Sequence, residues 1–159
     1  MSSKALGSLM RISTIAAGLC GLFLCTFILP SGGQDLIQAN PELGEWFWPW
    51  LIFAWLFSLP CFAILVYIWK VSDAVIGETV FTIKTAGWVK TGAVLLLCDT
   101  AFAFIGNIVL LVLNMSHPGV LLFCTIGSIF ALALALLAAV LSRYLTKATI
   151  LQEESEGTL

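Results

Sequence analysis

Residues 120–141 read VLLFCTIGSIFALALALLAAVL, without one charged side chain. A helix needs ~20 such residues to cross the ~30 Å of hydrocarbon in a bilayer. Three further runs precede it: Ile12 to Leu29, Trp46 to Trp69 and Thr91 to Leu113, the last broken only by Asp99. Unpaired backbone N–H and C=O groups are too costly in lipid, so apolar runs of this length must be helices. The expected fold is an all-α integral membrane four-helix bundle, one membrane domain over residues 1–159 with spans at about 12–29, 46–69, 91–113 and 120–141. Composition agrees: 60% hydrophobic residues, 10% charged residues and a mean hydropathy of +1.06 lie far outside the range of a soluble domain.

Orientation follows from the basic residues. Lys4 and Arg11 precede the first span, Lys70, Lys84 and Lys90 lie between the second and third, and Arg143 and Lys147 follow the fourth. All seven therefore fall on one side, which the positive-inside rule assigns to the cytoplasm. Both termini, a loop at 70–90 and a tail at 143–159 are expected there, in a multi-pass membrane protein. The opposite connections carry only Asp35, Glu42, Glu45 and His117. The first run is long for a signal peptide and FILPSGG has no A-x-A cleavage pattern, so a retained helix is expected. A net charge of −2 without a basic patch gives no surface for direct nucleic-acid binding.

The segment EWFWPW, residues 45–50, places Trp46, Trp48 and Trp50 at the outer end of the second span, with Trp69 at its inner end. Amphipathic rings prefer the headgroup region, so these four read as an interfacial belt rather than a ligand platform. Pro49 suits a first helical turn, where its missing N–H costs nothing. Small side chains mark the helix faces that approach one another: Cys124, Ser128, Ala131, Ala135, Ala138 and Ser142 in the fourth span, and Ser13, Ala17, Gly21 and Cys25 in the first. In the third, Gly92, Asp99, Ala103, Gly106, Asn107 and Asn114 share a face and are expected inside the bundle. Pro60 should free a carbonyl in the second span, with Ser58 near enough to help satisfy the backbone.

Asp99 is the one ionisable residue well within a span, about nine residues from the inner edge at ~1.5 Å each. A charge there costs ~3 kcal/mol or more, so it calls for a partner or a role. Two readings stand: a proton or cation site, or a carboxyl hydrogen-bonded to a Thr, a Ser or a backbone carbonyl across the bundle. The five cysteines all lie in spans and form no C-x-x-C pair, the single histidine has no neighbouring ligand, and no phosphate loop, H-E-x-x-H or nucleophile elbow occurs. No enzyme, metal or cofactor is expected.

The middle connection, VSDAVIGETVFTIKTAGWVK, is longer than a turn. Gly77 should end the helix that leaves the second span, and Thr82 should cap one beginning near Ile83 that runs on into the third. Phe81, Lys84 and Trp88 would then sit on a short cytoplasmic projection, suited to lipid headgroups or to a partner. The tail brings Glu153, Glu154 and Glu156, which an anionic membrane repels.

This layout of spans and loops, the Phe81-Thr82 helix start and the closing LSRYLTKATILQEESEGTL resemble a bacterial family known as domain of unknown function 2975. The resemblance covers nearly the whole chain. It implies a small four-helix membrane protein without established activity, whose gene often neighbours one for a small helix-turn-helix regulator. A non-enzymatic regulatory or sensing partner of such a regulator is therefore the expected function. Candidate partners are the lipid bilayer, that regulator and a second copy of the chain. The partner surface would comprise the middle connection and the tail. Two alternatives remain. A small proton-coupled transporter or exporter would use Asp99, although small four-helix exporters carry their carboxylate in the first helix, where this chain has none. A protection protein against a membrane-active peptide would use the Trp-rich outer surface with Asp35, Glu42 and Glu45.

Overall fold

The computed structural model describes residues 2–116 and 118–156, side chains of Pro118 and Glu156 excepted. Its elements are α1 (Ser3–Phe23), a π-helical turn (Leu24–Ile28), α2 (Leu29–Ala39), a 3-10 turn (Pro41–Trp46), α3 (Phe47–Ile76), α4 (Ile83–Val112) and α5 (Pro118–Glu156). No strand occurs among the described residues. Because α1, the π turn and α2 follow one another without a break, they make one rod, and among the described residues there are four helices long and apolar enough to cross a membrane. Each runs further than its apolar stretch. The last covers the whole of Gly119–Ser155.

Side-chain burial is the reverse of a soluble core. Within the most apolar windows of the four helices only 6% to 17% of residues are buried. Leu19, Phe27, Val112, Phe123, Phe130 and Leu137 point outward, while Thr14, Ser72, Thr85, Asp99, Asn107 and Ser142 are buried. Water would not tolerate so much exposed hydrocarbon, but lipid is as apolar as leucine. The helices come together instead through small and hydrogen-bonding residues.

Neighbours in sequence are antiparallel neighbours in space: α1 packs on α3, α3 on α4, and α4 on α5. Both described ends of the chain therefore lie at one end of the bundle, here called the basic end. Among the described residues the first and last helices do not touch closely. A partly open apolar cavity of about 260 Å³ lies between the four, lined by Met10, Tyr67, Trp88, Gly92 and Leu134 among others.

In α5 the stripe from Cys124 to Ser142 faces inward as its spacing requires, and continues to Leu145 and Thr149. For α1 the expectation needs correction. Ser13 and Ala17 are exposed; the inward seam is Gly7, Arg11, Thr14, Gly18, Gly21 and Cys25. Steps of four alone drift round a helix of 3.6 residues per turn, whereas alternating fours and threes hold one face. Gly21 lies so close to α3 that a Cβ there would be 3.2 Å from Phe62 Cζ.

The helix ends follow local chemistry. The Ser2 hydroxyl accepts the Ala5 N–H at 3.3 Å and caps α1. At the far end of α3, Thr79 N–H donates to Ala74 and Glu78 N–H to Val75, a Schellman motif whose left-handed residue is Glu78 (φ 57°) beside Gly77. Thr82 then caps α4, its hydroxyl accepting the Thr85 N–H at 3.2 Å, where the sequence places it.

Candidate functional site

At the basic end, α1 and α3 meet almost backbone to backbone. Gly7 permits this: a methyl there would collide with Ile76 Cγ1 and lie 3.1 Å from the Ser72 carbonyl oxygen. The wholly buried Ser72 hydroxyl donates to the Gly7 carbonyl at 2.6 Å. One turn further along α1, the Arg11 guanidinium donates to Asp73 Oδ1 through Nε (3.0 Å) and a terminal nitrogen (2.6 Å). It also lies 5.4 Å from the centre of the Trp69 ring, within reach of a cation–π attraction.

Beside this pair, Lys70 and Lys84 come within 5.8 and 5.4 Å of the Trp88 ring centre, one from α3 and one from α4. Phe81 stands exposed in the connecting turn. Thr79, Thr82 and Thr85 knit that turn together: the two hydroxyls of Thr82 and Thr85 are 2.9 Å apart, and the Thr85 hydroxyl donates to the Thr79 carbonyl at 3.4 Å. The start of α4 leans on α5, where the buried Ser142 hydroxyl donates to the Ala86 carbonyl at 2.8 Å. Past Thr149, α5 is exposed as far as Ser155. Ile150 and Leu151 are 44% and 64% exposed, with Glu153 and Glu154 exposed just beyond. Glu156 ends the helix, its side chain outside the described residues, as is all of His117.

Within the membrane, Asp99 is 3% exposed and its partner is a residue that the sequence reading did not choose. The Cys61 thiol of α3 donates to Asp99 Oδ2 at 3.2 Å, in place of the Thr, Ser or carbonyl expected. Oδ1 has no partner among the described residues. Asn107 faces inward and satisfies itself, its amide donating to the Ala103 carbonyl at 2.9 Å. Asn114 does not line the bundle. It takes a left-handed conformation (φ 57°) just past the end of α4, its N–H bonded to Leu111, a role for which asparagine tolerates positive φ. Ser58 donates to the Trp55 carbonyl at 2.6 Å, one residue short of the Leu56 carbonyl that Pro60 leaves without its usual N–H.

At the other end the three tryptophans differ. Trp46 and Trp48 are exposed, but Trp50 and Phe47 turn onto α2, where a Cβ on Gly33 would sit 2.7 Å from Phe47 Cε2. Trp55, overlooked in the sequence, matters more to the backbone. Its indole N–H donates to the Cys25 carbonyl at 3.0 Å. In the π turn Leu29 N–H reaches back to Leu24, so the next donor in that pattern would be Pro30, which has none. The missing N–H of Pro30 was the available signal.

Thus Lys70, Lys84 and Trp88 come together at the basic end, Trp69 is set against Arg11, Asp99 stands with Cys61 in mid-membrane, and the outer tryptophans lie apart from these. Among the described residues no three His, Cys, Asp or Glu side chains group closely enough to hold a metal ion. Four apolar helices with an inverted burial pattern define a multi-pass membrane protein. The sequence matches the family described as "Protein of unknown function (DUF2975)" over residues 31–159, and the chain belongs to that family. No curated protein and no solved structure matches it.

Proposed function

We propose that this chain is a non-enzymatic membrane protein of the bacterial plasma membrane that holds a small helix-turn-helix regulator at its basic, cytoplasmic end. The observation that carries the reading is the exposed end of α5, where Ile150 and Leu151 lie open beside the exposed Glu153 and Glu154. Ile150 and Leu151 follow the cations Arg143 and Lys147 on the same helix and so stand on the headgroup side of them, and carboxylates there favour a basic protein over an anionic membrane. Deleting Leu151 to Leu159 should release the regulator from membrane fractions while leaving the helices inserted and abundant. Retention of the regulator by the truncated chain, or no regulator co-purifying with the intact one, refutes the reading. Sidedness is checked in a cysteine-free background with an impermeant maleimide: a cysteine at Glu42 should label in intact cells and one at Glu78 only after lysis. Ser72 is unsuitable for that purpose, being wholly buried.

A second reading rests on Asp99, whose buried Oδ1 has no partner among the described residues. A proton-coupled transporter would use that carboxyl, and Asp99→Asn would then be folded but inactive. Proton-driven flux by the intact chain in reconstituted vesicles, abolished by Asp99→Asn, would favour transport; absence of flux in both removes it.

A further inference from the structure

We propose that the outer groove between α4 and α5 binds one anionic phospholipid molecule, its phosphate held at the basic end and one acyl chain laid along the groove. The seven basic residues do not all have the same surroundings. Arg11 is paired with Asp73, and Lys70 and Lys84 lie over Trp88. Lys90 from α4 and Arg143 and Lys147 from α5 instead converge on the mouth of one groove of about 690 Å³. No acidic side chain lines it, and none of the three makes an ion pair among the described residues. Tyr144 stands at the same mouth, the kind of residue that favours the headgroup level.

Below the cations the walls turn apolar, with Val94 and Leu97 on one side and Ala139 and Val140 on the other. At Leu97 the groove runs on into a second stretch of about 390 Å³, lined by Ala101, Phe104, Ile129 and Leu132. The α4 residues concerned, 90, 94, 97, 101 and 104, alternate fours and threes and so form one continuous strip. From Lys90 to Phe104 the rise is about 21 Å at ~1.5 Å per residue, enough to lead from the headgroup level through one leaflet of a hydrocarbon core ~30 Å thick. A cationic mouth over an apolar channel of this length matches a phosphate ester carrying a long chain. Free phosphate would use only the mouth, and a choline headgroup would bring its own positive charge to three others. Basic pockets between transmembrane helices select anionic headgroups for this reason.

The test uses the full chain, purified in a nonionic detergent and examined by native mass spectrometry with added phosphatidylglycerol or with phosphatidylcholine of the same acyl chains. One phosphatidylglycerol should be retained per chain, in preference to phosphatidylcholine. The triple variant K90Q/R143Q/K147Q removes every cation that lines the mouth and should weaken retention by at least about tenfold. The triple variant K4Q/K70Q/K84Q removes equal charge from the same end and should leave retention within about twofold, since these residues lie outside the groove. Ala101→Trp keeps every charge, fills the channel and should also weaken retention. If the first triple variant does not fold, Arg143→Gln and Ala101→Trp decide the matter. Equal losses in the two triple variants, no loss in Ala101→Trp, or displacement of the lipid by millimolar inorganic phosphate would each overturn the proposal. A chain that dimerises through this groove in place of taking up lipid would overturn it too.

Discussion

At the basic end, α1 meets α3 and α4 meets α5 through the same device, a buried serine hydroxyl that donates to a backbone carbonyl of the facing helix. Ser72 reaches Gly7 at 2.6 Å and Ser142 reaches Ala86 at 2.8 Å. The surroundings of the two bonds differ. Beside Ser72 the Arg11–Asp73 pair settles charge within the protein, and Gly7 brings the backbones together. Beside Ser142 stand Arg143 and, across the groove, Lys90, with no carboxylate for either among the described residues. One interface is electrostatically closed, and the other keeps its charge for something outside the chain.

The largest effect should come from breaking the close approach itself. Gly7→Val drives a branched side chain into Ile76 and the Ser72 carbonyl, and should cost about 3 kcal/mol, near the upper end for overpacking. Thermal unfolding in detergent, followed by size-exclusion recovery, should show it as a clear loss of folded protein. Gly92→Ala is the control, because a Cβ there meets nothing within 4 Å. It should be neutral or gain up to ~1 kcal/mol from helix propensity.

A middling effect is expected from the serines. Hydrogen bonds between helices in membranes average ~0.6 kcal/mol and reach ~1.7, so Ser142→Ala and Ser72→Ala should each fall in that range. Ser142→Ala should be the costlier, because the interface of α1 with α3 keeps its ion pair when Ser72 is lost. The same unfolding assay ranks them, and a costlier Ser72→Ala would contradict the comparison. The smallest effect belongs to Asp73→Asn. Arg11 and Asp73 are 39% and 47% exposed, so their pair is worth ~0 to 1 kcal/mol, and the difference from wild type should shrink as salt is added.

Features that depend on local chemistry were readable from the sequence. The number of helices follows from run length, the end of α3 from Gly77, the start of α4 from Thr82, and the inner stripe of α5 from small residues at fours and threes. Contacts between helices were not. Arg11 and Asp73 are 62 residues apart, and no local rule says that the rotation of α1 on α3 brings them together. Cys61 as the partner of Asp99 depends likewise on how α3 faces α4. Asn114 looked like a member of the inner face because its spacing continues that of Asn107, but α4 stops at Val112. The stripe chosen for α1 was right at Gly21 and Cys25 but off by one residue at Ser13 and Ala17, which are small without being in phase with them.

Phase also gives the π turn its consequence. The α1 seam of fours and threes, carried past Cys25 without interruption, would arrive at Ile28 and Gly32. One extra residue in the turn advances everything after it by about 100°, the step of a single helical residue. The seam resumes at Leu29 and Gly33, so it is Gly33 that lies under Phe47, while Gly32 has nothing within 4 Å. The first rod therefore works as a screw with two threads, one cut for the basic half of α3 and one for its tryptophan half. Trp55 occupies the join, supplying a donor to the carbonyl exposed by the change of thread.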